Sequence, residues 1–388
     1  MFKYRTRSVA ILLALTFSTA LLCSVEFIRE GVVLDVEASL GEGPDLIVQK
    51  LIGGRQVLVP LDWVNNVSET SGIRLVTPRV WGYSDAGDGR LLTIMGVNAT
   101  EYGTIFGAVG TDVLAGGRFI MENDTRRMVV GQGIVEMMAA SGAAVTISVG
   151  SVLSLITYNG SLIEFVIVGV FSADSKIQSY DLIMTDISSA RMVLGVDNSS
   201  CTDVAVWINY GSDLNGVAFQ LDSSLSQARI LTRDAMKNTM LRTYGGRAGV
   251  AALLWACVLV TVLLLVFTAS SAGSEEARRE VGLLKALGFD TVDILEIRTV
   301  ESVTLGALGA NFGISLAIVF DFILGAPLLA GYLLGWNLVL LNGGIPLAVS
   351  SATILTVLAA AIVPVMVATV VPSWRNAITE PDTVLRGV

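Results

Sequence analysis

The chain has 388 residues, of which 53% are hydrophobic and only 15% are charged, and its formal net charge at pH 7 is −9. This composition excludes an ordinary soluble globular protein and indicates a protein that lies in a membrane. The chain contains no histidine, which excludes a Ser-His or Cys-His catalytic pair and a histidine-ligated metal site. We therefore expect no catalytic residues and no metal site.

No lysine of the chain follows a glycine, so the Walker A loop with which P-loop enzymes bind ATP is absent from the sequence. If ATP drives this protein, another polypeptide must bind the nucleotide. Of the three cysteines, Cys23 and Cys257 fall in apolar runs and Cys201 stands alone between them. We therefore expect no internal disulfide framework in the polar part of the chain.

Four uncharged runs are long enough to supply the roughly 20 residues that a membrane-spanning helix needs. A further apolar piece, 328–341, is short and lies between glycine and proline residues, so we expect it at the membrane interface or outside the bilayer. The four predicted transmembrane helices lie near 8–25, 248–271, 300–322 and 347–371.

Lysine and arginine concentrate before the first helix, between the second and third, and after the fourth. Since this bias marks the cytoplasmic side, both termini are predicted to be cytoplasmic in a multi-pass protein of the cell membrane. Residues 26–246 then lie outside and contain 24 acids and 15 bases. That surface is expected to repel nucleic acid. The alternative for the first segment is a cleaved signal peptide, with Ser18-Thr19-Ala20 as the cleavage site.

The expected fold class is an α-helical membrane protein with four transmembrane helices and a large α+β extracytoplasmic domain inserted between helices 1 and 2. The predicted parts are the cytoplasmic N-terminus and first helix at 1–25, the extracytoplasmic domain at 26–246, the second helix at 247–272, a cytoplasmic helix and loop at 273–298, the third helix at 299–323, an outer loop at 324–346, the fourth helix at 347–371, and a cytoplasmic tail at 372–388.

The extracytoplasmic region alternates β-rich stretches with helical ones. Two lobes are plausible at this length, with a break near Asp174–Tyr180, and the segment from 212 to 247 is expected to be mostly helical. The predicted strands lie at 45–51, 55–61, 90–97, 164–171 and 204–208, and the predicted helices at 130–141 and 187–195.

Five of the nine asparagines in the extracytoplasmic region begin an N-x-[ST] sequon, and none of the four asparagines elsewhere does. Such sequons are acceptors for N-glycosylation and favour an archaeal surface protein. The alternative is coincidence in a domain rich in serine and threonine. The candidate glycosylation sites are Asn66, Asn98, Asn123, Asn159 and Asn198.

The stretch EEARREVGLLKALGF, residues 275–289, is charged at its start and apolar at its end. On a helix, Val281, Leu284 and Leu287 or Gly288 share one face, opposite a polar face. On pattern alone this is either a helix that fits a groove or a solvated linker helix.

The segments EARREVGLLKALGF (276–289), ILEIRTVESVTLGALGANFG (294–313) and PSWRNAITEPDTVLR (372–386) resemble the FtsX/MacB-like, type VII permeases of ABC transporters. In the extracytoplasmic region, GRF (117–119), VVGQGIVEMM (129–138) and GSLIEFVIVGVF (160–171) resemble the MacB-type periplasmic core domain. Residues 26–110 match the family least clearly.

The resemblance implies a dimer of permeases that sits on two ABC ATPase subunits, and these subunits bind ATP and Mg. It leaves open whether the dimer is a homodimer or a heterodimer. In the family, the short cytoplasmic helix between the second and third spans docks on the ATPase. Carried onto this chain, the docking residues are Glu276, Arg278, Arg279, Glu280, Val281, Gly282, Leu284, Lys285, Leu287 and Gly288.

The third helix carries a GxxxG pair, Gly309 and Gly313, with Gly306 close to the same face. Small residues at this spacing allow close helix approach, within a dimer or within one chain, unless they merely reflect a glycine-rich span. Glu301 and Asp321 bracket 19 uncharged residues, so both are expected near the membrane interfaces. Glu301 matches a recurrent acidic position of the family.

The leading hypothesis is a non-catalytic permease subunit that couples ATP hydrolysis by a separate ATPase to movement of its extracytoplasmic domain. The purpose would be export or extraction of a substrate, or mechanical signalling to an extracytoplasmic protein; a cell-division regulator of the FtsX kind is a narrower version. The alternative is a membrane-anchored surface receptor or assembly protein without an ATPase. A secondary transporter is a third option, which the few helices and the lack of intramembrane charge oppose. Substrate and direction of transport remain open.

Overall fold

The computed structural model describes residues 5–41, 43–85, 91–105, 116–140, 147–171, 180–272, 281–334 and 345–378. The chain divides into two compact units. The membrane unit comprises Met1–Gly31, Tyr244–Gly335 and Leu347–Val388, and the sheet unit comprises Val32–Thr243 and Trp336–Pro346.

The helices are α1 (Arg5–Gly41), α2 (Asp62–Ser68), α3 (Ala99–Ile105), α4 (Gln132–Ala140), α5 (Ile187–Leu194), α6 (Leu214–Ser224), α7 (Arg233–Ala272), α8 (Thr291–Ile318), α9 (Leu329–Leu334) and α10 (Ser351–Ile378), with a π-helical turn at Val319–Ile323. The strands are β1 (Leu46–Ile52), β2 (Arg55–Val57), β3 (Val59–Pro60), β4 (Ile73–Asp85), β5 (Leu91–Val97), β6 (Arg127–Gly131), β7 (Val152–Ile156), β8 (Leu162–Phe171), β9 (Leu182–Asp186), β10 (Ser200–Cys201), β11 (Asp203–Ile208) and β12 (Ala228–Thr232).

Four of the described helices are long and apolar enough to cross a membrane, which confirms the predicted number. The helices extend beyond the predicted apolar runs, because α1 continues to Gly41 and α7 begins at Arg233. The candidate spans are Val9–Gly41, Arg233–Thr268, Thr291–Ile323 and Ser351–Trp374.

Within the membrane unit, α1 is the most enclosed of the four long helices. About 56% of its most apolar stretch is buried, against 17% for the corresponding stretches of α7 and α10. One apolar cluster joins Leu15 of α1 to Val266 of α7 and Val365 of α10, and a second joins Phe27 of α1 to Ala317 of α8. The outward sides of α7, α8 and α10 expose large apolar residues, as expected of surfaces that contact lipid.

The sheet unit is built on one ten-stranded mixed sheet with the order β12-β1-β11-β4-β5-β9-β6-β8-β7, and β2 pairs with β1. The pairs β5 with β9 and β6 with β8 are parallel, and the other pairs are antiparallel. A small second sheet pairs β10 with β3. The α+β class predicted for this region is therefore confirmed.

The two faces of the sheet carry separate apolar cores. On one face, α2, α4, α5 and α6 bury residues such as Val67, Ile134, Val193 and Leu221. On the other face, Tyr102 of α3 packs edge to face on Trp207 of β11, with ring centroids 6.0 Å apart. The predicted break near Asp174–Tyr180 falls almost wholly on 172–179, outside the described residues, but β8 and β9 on either side of it lie in the same sheet.

Candidate docking segment and its supporting contacts

Part of the predicted docking helix can be described. Residues 281–286 form a short helix, whereas Glu276, Arg278, Arg279 and Glu280 lie outside the described residues. Val281 is buried, Leu284 and Lys285 are half-buried, and Leu287 is 71% exposed. The predicted apolar edge is therefore only partly accessible.

The exposed apolar side chains of this segment are Leu283, Leu287 and Phe289, with exposed fractions of 66%, 71% and 41%. Leu283 and Leu287 are four residues apart, so they lie on one side of the segment. Leu283 and Phe289 were not among the predicted docking residues. Helical periodicity indicates which residues share a face, but it does not show which face is buried against the rest of the chain. Together we call Leu283, Leu287 and Phe289 the docking patch.

The segment ends in a Schellman motif. The Phe289 amide donates to the Leu284 carbonyl at 3.1 Å, and the Gly288 amide donates to the Lys285 carbonyl at 3.0 Å. Gly288 has a φ of +94°, a conformation that glycine adopts without the strain caused by a side chain. Gly282, by contrast, has open space where a Cβ would stand, so it marks no close approach within the described structure.

The next helix begins immediately after this motif. The Asp290 carboxylate accepts from the Thr291 amide at 2.6 Å, and the Asp293 carboxylate accepts from the Asp290 amide at 2.8 Å, which forms a capping box for α8. Both ends of the link between the short helix and α8 are thus hydrogen-bonded.

The glycines of α8 pack inside the chain. A Cβ on Gly309 would lie 2.8 Å from the Leu15 Cβ of α1, and a Cβ on Gly313 would lie 2.9 Å from the Thr16 carbonyl oxygen. A Cβ on Gly306 would lie 3.3 Å from the Ile362 Cα of α10. In the described structure, these small residues let α8 approach α1 and α10 of the same chain.

The two acidic residues that bracket the third apolar run differ in their surroundings. Glu301 is partly exposed and accepts from the Arg298 guanidinium at 2.8 Å. Asp321 is 1% exposed on the π-helical turn, and neither of its carboxylate oxygens has a hydrogen-bond partner among the described residues. Ser24 and Cys23 of α1 lie close to it. The burial of Asp321 was not expected from its position at the end of an apolar run.

Charged residues join the end of α1 to the start of α7 in the sheet unit. The Arg233 guanidinium donates to the Gly43 carbonyl at 2.7 Å and lies 3.0 Å from the Asp45 carboxylate. The Lys237 ammonium lies 2.6 Å from the Glu37 carboxylate. Because β1 and β12 pair directly beside these contacts, both helices are held to the same edge of the sheet. We call these five residues the helix joint.

No local sequence pattern indicates the helix joint, because its partners are about 190 to 200 positions apart in the chain. The five candidate glycosylation asparagines all lie in the sheet unit: Asn66 on α2, Asn98 directly before α3, and Asn123, Asn159 and Asn198 in turns. The described residues contain no group of three or more Cys, Asp or Glu side chains suited to a metal ion.

The family model for the FtsX-like permease C-terminal domain matches residues 252–381, which include the docking segment, α8 and all of α10. The chain is also 24% identical, over 216 residues, to an uncharacterized ABC transporter permease of Methanocaldococcus jannaschii. That similarity covers 52% of this chain, and the chain spans only 50% of the relative.

Two solved structures resemble the chain weakly. The periplasmic region of MacB from Actinobacillus actinomycetemcomitans is 16% identical, with a TM-score of 0.37 and coverage of 53% of this chain and 97% of that one. The extracellular domain of the noncanonic ABC-type transporter YknZ from Gram-positive bacteria is 12% identical, with a TM-score of 0.35 and coverage of 48% and 99%. Residues 252–381 carry a domain that matches the FtsX-like permease C-terminal family.

Proposed function

We propose that this chain is the non-catalytic permease subunit of an ABC transporter, driven by a separate ATPase that binds ATP and Mg. The observation that carries the proposal is the family match over 252–381, which contains a segment with exposed apolar side chains and hydrogen-bonded caps at both ends of its link to α8. In this proposal, both termini and the docking segment are cytoplasmic and the sheet unit is extracytoplasmic.

The docking patch supplies the contact with the ATPase. Leu283, Leu287 and Phe289 present apolar surface, and charged residues precede them in the sequence, a combination suited to a groove with apolar walls and a polar rim. Burial of such side chains at the centre of an interface contributes most of its free energy. The charged residues at 276–280 set the register of the contact.

The link from the docking segment to the sheet unit runs through continuous helices. A shift of the docking patch moves α8, and α8 packs against α1 through the contacts of Gly309 and Gly313. Helix α1 is unbroken from Arg5 to Gly41, and the helix joint ties its end to the start of α7. The coupling that we propose would run along these packed helices and their contacts.

The permease works as a homodimer or heterodimer in the cell membrane, with lipid covering the exposed apolar sides of α7, α8 and α10. The movement of the sheet unit serves export or extraction of a substrate, or a signal to an extracytoplasmic protein. A membrane-anchored receptor or assembly protein without an ATPase is the alternative, and the experiment below separates the two.

The test is co-purification of the full chain with candidate P-loop ATPases of its source organism, comparing wild type with Leu287→Asp. Leu287 is exposed, so a charge there disturbs the contact and not the fold. We expect the affinity to fall at least tenfold, because a buried interface side chain of this kind contributes more than about 1.4 kcal/mol. Phe219→Asp, at a residue of α6 that is 74% exposed, is the matched control and should bind as wild type does. Unchanged binding by Leu287→Asp, or no ATPase binding at all, would favour the receptor.

A further inference from the structure

The five sequon asparagines divide into two structural groups. Asn66 is exposed but lies inside α2, and Asn98 directly precedes α3 and is half-buried. Asn123, Asn159 and Asn198 are exposed residues in turns. Surface turns are accessible and can adapt to an enzyme, whereas a helix holds the backbone of a sequon in one hydrogen-bonded conformation.

The turn at Asn123 is held by its neighbour. Asp124 is buried, and its carboxylate lies 2.5 Å from the Arg118 guanidinium and 3.1 Å from that of Arg127. The Asp124 amide also donates to the Met121 carbonyl at 2.9 Å, which closes the turn. Asp124 thereby anchors the loop inward and leaves the adjacent Asn123 side chain in solvent.

The turn between β7 and β8 fixes Asn159 in a similar way. The Asn159 side-chain carbonyl accepts from the Ser161 amide at 3.1 Å and from the Thr157 hydroxyl at 2.5 Å. These bonds use the oxygen of the side chain and leave its Nδ2, the atom that carries an N-linked glycan, uncommitted by them. Tyr158 and Leu162 beside it are 72% and 68% exposed, an apolar tip that an attached sugar would cover.

The third turn lies close to the second. The Asp197 carboxylate accepts from the Ser199 amide at 2.7 Å and shapes the turn around Asn198. The Tyr158 amide donates to the Val193 carbonyl at 2.8 Å, which brings the β7–β8 turn against the end of α5 just before Asn198. Asn159 and Asn198 are therefore on neighbouring surface turns.

The two helical sequons use their polar groups in the fold. The Ser68 hydroxyl of the Asn66 sequon donates to the Asn65 carbonyl at 2.7 Å within α2. The Asn98 side chain accepts from the Thr100 amide at 3.1 Å at the start of α3, a bond that also leaves Nδ2 free, but unlike the three turn asparagines Asn98 is half-buried. Asn66 and Asn98 thus differ from the turn asparagines by a helical backbone in one case and by burial in the other.

From these placements we propose that Asn123, Asn159 and Asn198 are N-glycosylation sites, and that Asn66 and Asn98 are not. The co-reactant is an oligosaccharide linked through its C1 to a lipid phosphate. The Asn Nδ2 forms a bond to C1, the C1–O bond to the lipid phosphate breaks, and the amide proton passes to the leaving lipid phosphate. The inference rests on the proposed outward orientation of the sheet unit.

The test is mass spectrometry of the full chain purified from membranes of its source organism. Peptides containing Asn123, Asn159 and Asn198 should carry sugar, and the Asn→Gln variant of each should lose the mass of one glycan. Asn98→Gln is the matched control and should leave the mass of the attached sugar unchanged. If Asn66 and Asn98 also carry sugar, the proposal that only the sequons in surface turns are glycosylated is wrong.

Orientation is tested separately. Ser224→Cys places a thiol at an exposed position of the sheet unit, and a membrane-impermeant maleimide applied to intact cells reports whether it faces outside. If the thiol reacts and the three asparagines carry no sugar, the glycosylation inference fails while the orientation stands. If the thiol reacts only after the cells are broken, the orientation and this inference fail together.

Discussion

Gly313 shows how closely α8 and α1 approach. A Cβ at this residue would lie 2.6 Å from the Thr19 Cβ and 2.9 Å from the Thr16 carbonyl oxygen, and the backbone oxygen has little freedom to move. Gly249 of α7 offers a comparison, because no atom lies within 4 Å of the position of its Cβ. Gly313 is therefore needed for close helix packing, whereas the packing around Gly249 leaves room for a side chain.

We expect Gly313→Ala to lower the stability of the detergent-solubilised protein by about 1 to 3 kcal/mol, because overpacking forces the helices apart. Gly249→Ala should be neutral or stabilise by up to about 1 kcal/mol, because alanine favours the helix and meets no neighbour. Thermal unfolding midpoints of the two variants test this. Equal midpoints would mean that α8 does not approach α1 as described.

Several single residues could be predicted from the sequence and others could not. Periodicity identified the GxxxG pair, whose glycines pack closely on α1, because the pattern depends on neighbours in the sequence. The docking role of 276–288 stays a prediction. The burial of Asp321, the accessible face of the docking segment and the pairing of Lys237 with Glu37 depend on contacts between distant parts of the chain. No local pattern encodes those contacts.

At the scale of elements, hydropathy located the membrane helices but not their full length. The last third of α1 carries residues such as Glu30, Asp35 and Glu37, so its composition no longer signals a membrane span although the helix continues. The predicted strands at 45–51, 90–97, 164–171 and 204–208 are confirmed as β1, β5, β8 and β11. They were predictable because each one is a short run of apolar residues in the sequence. The stretch at 55–61 divides into β2 and β3, which join different sheets.

The longest strand, β4, was not predicted. It contains Pro78, and it buries the polar residues Thr77, Arg79 and Ser84, which obscures the alternation of a half-buried strand. The Arg79 guanidinium pairs with the Asp203 carboxylate of β11 at 2.8 and 2.9 Å. Similarly, β12 lies inside a segment that was expected to be mostly helical, and its pairing with β1 overrides that tendency.

The helix joint leads to a prediction at this scale. Arg233→Ala removes the bonds to Asp45 and Gly43, and we expect a loss of about 1 to 2 kcal/mol because these groups are partly exposed. Amides of β12 and β1 should exchange hydrogen faster as the edge of the sheet loosens. Arg229→Ala, at an exposed residue of β12, is the control and should leave exchange unchanged. If β1 and β12 exchange hydrogen equally fast in both variants, the helix joint does not stabilise this edge of the sheet.

At the scale of the whole molecule, the most predictable property was the order of the membrane helices and the inserted domain along the chain. Charge bias and hydropathy indicated four helices with one large insertion after the first, and the structure has that arrangement. The strand order of the sheet was not predictable, since it follows from long-range pairing that a single sequence does not reveal. The family match supports the membrane part of the account, while the partner and the purpose of the movement are matters for experiment.

The central claim is that an ATPase bound at the docking patch moves the sheet unit through α8, α1 and the helix joint. Hydrogen exchange of β1 and β12 in the reconstituted complex with the ATPase, measured with ATP and with a non-hydrolysable analogue, tests it most directly. We predict that exchange in these strands differs between the two nucleotides in the wild-type complex, and that Leu287→Asp abolishes the difference. Identical exchange with both nucleotides, in a complex that contains the bound ATPase and hydrolyses ATP, would contradict the account.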